Sequence, residues 1–182
     1  MATQMGVPKQ GGQGNRSVPV RYWLKFGHSI TAMSFLGAVI VLWVMIDRLP
    51  LPDQALEIYV AERRLMERVA SLVLMPSLLI SLLFGLASMA AVSGFHGAPW
   101  AWAKLVTTVL MLEGSLLGIQ SPLKREALLA ERALADPSQL GQLAQNISSE
   151  QSSLVLIGVV ATANVALGVW RPRFRAKPTA LT

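Results

Sequence analysis

Cysteine is absent from this 182-residue sequence. That excludes disulfides, thiolate metal sites, iron–sulfur clusters and covalent c-type haem attachment. Charge is also scarce: 14% of residues are Asp, Glu, Lys or Arg, against about a quarter in an ordinary soluble domain. Hydrophobic residues make up 53% of the chain and the mean hydropathy is +0.49. Histidine occurs twice, as His28 and His96. No phosphate-binding glycine loop, catalytic triad, zinc-ligand spacing or nucleic-acid module can be found, and no catalytic residue is assigned. The balance points to an integral membrane protein. A net charge of +6 and a pI near 10.3 would suggest nucleic acid for a soluble chain. Here the bases cluster just outside apolar runs, where they orient a membrane protein, so the expected partner is the lipid bilayer and not nucleic acid.

Four apolar runs are present, at about residues 22–46, 69–94, 100–119 and 152–170. Each approaches the ~20 residues that carry a helix across a ~30 Å hydrocarbon layer. Helix is the expected state, because an isolated strand leaves its backbone unsatisfied in lipid. The predicted fold class is therefore all-α, an integral membrane four-helix bundle spanning residues 22–172. Residues 1–21 are polar and rich in Gly, Gln and Pro, which reads as a disordered tail, and residues 173–182 form a basic tail. The first run is too long for a signal-peptide core and lacks a cleavage pattern after it, so it is expected to be retained.

Flanking charge sets the expected orientation. Lys9, Arg16, Arg21 and Lys25 precede or open the first run, and Arg171, Arg173, Arg175 and Lys177 follow the last, without an acid among them. The segments 47–68 and 120–151 mix both signs. Both termini are thus predicted to be cytoplasmic, in a bacterial cytoplasmic (inner) membrane. Tyr22, Trp23, Trp100, Trp102 and Trp170 fall at that interface and Trp43 at the other. Residues 53–68 have helix-forming composition and are expected to extend the second span into water. Ser121-Pro122 followed by LKREALLAERALA reads as an N-cap and an N1 proline opening a short amphipathic helix between spans three and four. Leu123, Ala127, Leu128, Ala130 and Leu134 form its apolar face, on the membrane surface or against the bundle. Pro76 is expected to kink the second span.

Polar residues inside a span are costly, so each is a candidate for function. His28 lies about one turn inside the first run. Lys104 and Asn164 are predicted at a similar depth, and His96, in the Gly-flanked turn SGFHGAPW, on the same side. Imidazole is a usual axial ligand of b-type haem and a partner for quinone oxygens. His28 therefore reads either as a haem iron ligand, with His96 as a second, or as a residue hydrogen-bonding a neighbouring helix through a serine or Asn164. Glu113 falls past the middle of the third span, where desolvation favours the neutral acid. It reads as a proton-relay or cofactor-pocket carboxyl, as a partner for a basic group in another subunit, or as an acid hydrogen-bonded to Ser77 or Ser81. Gly114 and Gly118 form a GxxxG pair suited to close helix packing, within one chain or between chains.

WLKFGHSITAMSFLGA (residues 23–38) resembles the opening segment of a group of four-span bacterial membrane proteins. The group comprises CopD-like copper-resistance domains, HemJ-like protoporphyrinogen oxidases and a family of predicted integral membrane proteins of unknown function. ERRLMERVASLVLMPSLLISLLFGLASM is similar to their second span and WAWAKLVTTVLMLEG to their third, so the resemblance covers about residues 22–120. It implies a four-helix bundle in which His28 matches the first-span histidine that is associated with b-type haem in HemJ-like members. Those members carry a histidine before a glycine in the third span, where this chain has Glu113-Gly114, and the family of unknown function is the nearer match. Two functions are expected. One is a small membrane protein holding b-type haem at His28, with a role in electron transfer or in haem and copper handling. The other is a non-catalytic accessory subunit of a larger respiratory, photosynthetic or transport complex, joined to other membrane subunits or to itself.

Overall fold

The computed structural model of the protein describes residues 17–91 and 97–170. Residues 1–16 of the expected N-terminal tail, His96 and the expected basic tail at 173–182 lie outside them, and the helix begins at Ser17, within the stretch expected to be disordered. The described residues are helical and contain no strand. They form α1 (Ser17–Asp47), α2 (Leu56–Val69), α3 (Met75–Ala91), α4 (Pro99–Ser115), α5 (Ser121–Ala135) and α6 (Ile147–Trp170). Four continuous helices, Tyr22–Asp47, Leu56–Ala91, Pro99–Ala135 and Ile147–Trp170, are long and apolar enough to cross a membrane.

Two of these rods are built from paired elements. A π turn at Ala70–Leu74 joins α2 to α3, and another at Leu116–Gln120 joins α4 to α5. Each is followed by one residue and then a proline, Pro76 or Pro122. Proline lacks the N–H that closes a helical turn, and its ring crowds the carbonyl four residues earlier. A turn widened to i→i+5 ahead of the ring keeps the ladder going, with the Met75 N–H donating to the Ala70 carbonyl and that of Ser121 to Leu116. The expected Pro76 kink is thus a π turn within an unbroken helix. Ser121 is likewise no N-cap: Gln120 before it is helical and no side chain caps α5, so α5 continues the third span.

α1 packs on α3 and α6, and α4 packs on α3 and α6, giving a four-membered ring with α1 and α4 on one diagonal. Phe35, Ala38, Leu42 and Ile46 recur at helical spacing along one stripe of α1. They meet Leu74 and Leu78 of the second rod, Met111 and Ile119 of the third, and Leu154, Ile157 and Ala161 of α6. The outer faces are equally apolar, with Ile40, Val44, Leu79, Leu83, Val106, Leu110, Val155 and Val159 exposed. Helices hydrophobic all round suit lipid rather than water.

Beyond this core, at the end carrying the 48–55 and 136–146 connections (the loop end), a second cluster forms. Tyr59 and Val60 of α2 pack against Ala130 and Ala133 of α5 and against Leu143. The α2 extension is therefore not a free projection into water. Leu123, Ala127 and Ala130 of the expected apolar face are buried, but Leu128 and Leu134 are exposed. Arg63 and Glu150, only 0% and 3% exposed, form an ion pair at 2.6 Å. Arg63 Nε also donates to the Tyr59 hydroxyl at 3.1 Å, and that hydroxyl donates to Glu126 at 2.7 Å. Glu126 accepts a further 2.7 Å bond from the Ala144 N–H, which holds Ala144 at φ 63°, a conformation non-glycine residues rarely adopt. One guanidinium thus ties α2 to α6 directly and to α5 and the 143–146 turn through Tyr59. The Asp136 N–H closes the end of α5 on the Arg132 carbonyl, and its carboxylate caps the turn at Pro137–Gln142 by accepting from the Ser138 hydroxyl and N–H and from Gln139. These bonds hold its carboxyl below the usual carboxylate range.

Removing one partner of a buried pair strands the other charge, at a cost of about 3–5 kcal/mol. Arg63→Ala should destabilise the protein by that amount in detergent unfolding experiments. Arg64→Ala, which removes only the half-exposed pair with Glu131, should cost no more than about 1 kcal/mol. Equal midpoints for the two variants would show that the buried network does not hold the loop end together.

Candidate functional site

At the opposite end of the bundle, where residues 17 and 170 lie, residues of α1, α3, α4 and α6 line a cavity of about 560 Å³. That is within the range of about 300–1,000 Å³ usual for small-molecule and cofactor sites. Lys25, His28, Ala32 and Leu36 line it from α1; Ser81, Gly85 and Ser88 from α3; Trp100, Lys104 and Thr108 from α4; and Gly168 and Val169 from α6. The walls are mainly apolar, with a few polar groups converging from α1, α3 and α4.

His28 is the best-defined of these groups. Its Nδ1 lies 2.9 Å from the Ser81 backbone carbonyl and 3.1 Å from the Ser81 hydroxyl. A carbonyl oxygen only accepts, so Nδ1 carries the proton, and in the neutral ring the lone pair is left on Nε2. The interhelical hydrogen bond weighed for this histidine is present, but it runs to Ser81 and not to Asn164. It also gives the ring the orientation typical of a ligating imidazole, one nitrogen anchored on a backbone carbonyl and the other available. Close approach of α1 and α3 makes this bond possible. A Cβ on Gly27 would lie 2.6 Å from the Phe84 ring, so only glycine lets the ring lie against the α1 backbone next to His28.

Lys104 reaches the same cavity, its Nζ over Gly168, where a Cβ would lie 2.6 Å from the ammonium. Asn164 is buried beside the cavity. It accepts a 2.7 Å hydrogen bond from Thr107 and donates to Thr108 at 3.5 Å, clamping α6 onto α4. His28, Lys104 and Asn164 are thus brought to one end, as their spacing in the sequence predicts. Glu113 is not among them. It lies on the outer face of α4, exposed, and Ser81, one of its two expected partners, is engaged by His28. The helical repeat accounts for this, because Met111 and Ser115 on either side of it point into the core, leaving Glu113 on the opposite face. No cluster of three or more metal-ligating side chains occurs among the described residues.

Ser81, expected as a partner of Glu113, serves His28 instead and largely through its backbone carbonyl, which no side-chain pattern marks, and the Tyr59–Arg63–Glu126–Glu150 network was not expected. Tyr59 and Arg63 are four residues apart and so share a helix face, a signal that was present within a segment read as solvated. Comparison with family models, with curated proteins and with solved structures gives no match.

Overpacking the α1–α3 contact should disturb the site directly. Gly27→Ala is expected to lower the thermal midpoint, because inserted core atoms typically cost about 1–3 kcal/mol. Gly37→Ala, with nothing within 4 Å of the new Cβ, should leave it unchanged or raise it. If both variants melt alike, the close approach beside His28 is not as tight as the geometry requires.

Proposed function

We propose that this protein is a multi-pass protein of the bacterial cytoplasmic membrane that holds an amphipathic, acid-bearing cofactor, b-type haem, in the cavity at His28 and serves electron transfer. The observation that carries this reading is the His28–Ser81 hydrogen bond, which orients one imidazole on the cavity wall with Nε2 uncommitted. The donor set suits the cofactor. One neutral imidazole serves a haem iron, apolar walls serve the macrocycle, and the lysines 25 and 104 place positive charge where carboxylate substituents would sit. Haem bound in this way supplies one-electron redox chemistry. The chain's own part is to fix the imidazole, surround the macrocycle with apolar side chains such as Ala32 and Leu36, and balance the acid groups. The resemblance of residues 22–120 to four-span proteins with a first-span histidine supports the same assignment. The purely basic flanks support cytoplasmic termini, and therefore a cavity opening towards the cytoplasm.

Protein expressed with ample haem should purify with a Soret band. His28→Ala should lose the band while keeping the wild-type unfolding midpoint within about 1 kcal/mol, the range of a single lost hydrogen bond. A folded wild-type protein that purifies colourless under these conditions overturns the haem reading.

Orientation is tested separately. Reporter fusions near residues 10 and 178 are both expected to report cytoplasm, and a periplasmic signal at either end would place the cavity on the other side of the membrane.

A further inference from the structure

Glu113 occupies a position that a membrane helix rarely gives to a carboxyl group. Taken along the helix it stands about 21 Å from Pro99 and about 10 Å from Gln120. This is too deep for a short side chain to reach water, since snorkelling serves long Lys and Arg chains near helix ends. Around it, Val106, Val109 and Leu110 on the outer face of α4 and Leu117 in the π turn that continues it are all exposed. Among the described residues Glu113 makes no hydrogen bond or ion pair. The adjacent GxxxG pair is already engaged within the chain, Gly114 against Ile157 and Gly118 against Ser153 of α6. The motif expected to serve packing therefore does so inside the bundle, and the carboxyl is left on the opposite side.

We propose that this face of α4 is a self-association surface, with the Glu113 carboxyls of two copies hydrogen-bonded to each other at its centre. Copies inserted in one membrane share an orientation, so the axis relating them is parallel to the membrane normal and every residue meets groups at its own depth. At the depth of Glu113 the described outer faces offer no basic residue; the span lysines 25 and 104 lie at the other end of the bundle. The group that meets Glu113 is therefore the same residue of the second copy. Two carboxyls in contact do not both ionise. A retained proton donates across the axis, and each carboxyl gains the partner that its own chain withholds. The surface lies on the far side of α4 from the cavity, so this proposal and the haem assignment stand or fall separately.

The absence of native cysteine makes the test direct. Single substitutions Val106→Cys, Val109→Cys, Leu110→Cys and Leu117→Cys, each retaining Glu113, are oxidised in native membranes, with Val155→Cys on the outer face of α6 as the control. Disulfide-linked dimers are expected from the α4 series, strongest at Val109 or Leu110, and not from Val155. Adding Glu113→Leu should weaken association by about three- to fifteenfold, the range measured for polar pairs between membrane helices. Adding Glu113→Gln should preserve it, because an amide both donates and accepts. Equal crosslinking at Val155, or undiminished crosslinking with Glu113→Leu, overturns the proposal. So does a chain that stays monomeric at every α4 position, an outcome that would assign Glu113 to a basic group of a different membrane protein.

Discussion

In hydrocarbon a backbone N–H or carbonyl has no water to turn to, so each helix must close its own ladder through the full depth of the membrane. Two prolines threaten that closure here, one in each of the two longest rods. The chain meets both with the same device, a π turn one residue ahead of the ring. The consequence is more than local. Because neither rod breaks, α2 and α5 continue beyond the apolar layer as extensions of the spans and arrive side by side at the loop end, where they pack together.

The two ends of the bundle use their polar residues in opposite ways. At the loop end Arg63, Tyr59, Glu126 and Glu150 are enclosed and bonded to one another, with the buried Arg63 Nη2 left without a hydrogen-bond partner among the described residues. At the terminal end polar side chains line a cavity instead. His28 is anchored at one nitrogen, Asn164 clamps α4 to α6, and the lysines bring charge to the rim. Glycines at 27 and 168 supply room, each standing where a Cβ would lie 2.6 Å from Phe84 or Lys104.

Burial and charge also run against composition. The acids that look solvated, Glu126 and Glu150, lie in polar segments yet are enclosed, whereas the acid that looks enclosed, Glu113, lies in an apolar span yet faces outward. In a soluble protein an outward carboxyl needs no explanation. In this bundle the buried acids have found their partners, whereas the outward one has none among the described residues.

The apolar runs, their length and the shortage of charge were sufficient to determine an all-helical bundle with four membrane-length helices, because hydrocarbon permits few other solutions. The depth of His28, Lys104 and Asn164 was legible for the same reason: 1.5 Å per residue converts position in a span directly into depth. Azimuth was not legible. Outer and inner faces of a membrane helix are equally apolar, so the hydrophobic pattern that points a soluble helix inward is nearly absent, and only packing decided that Ser115 is enclosed while Glu113 is exposed. The same limit hid the Ser81 carbonyl, a backbone group that no side-chain pattern marks. It also hid the Arg63–Glu150 pair, whose members stand 87 positions apart in the chain and meet only because two unbroken helices carry them to one place.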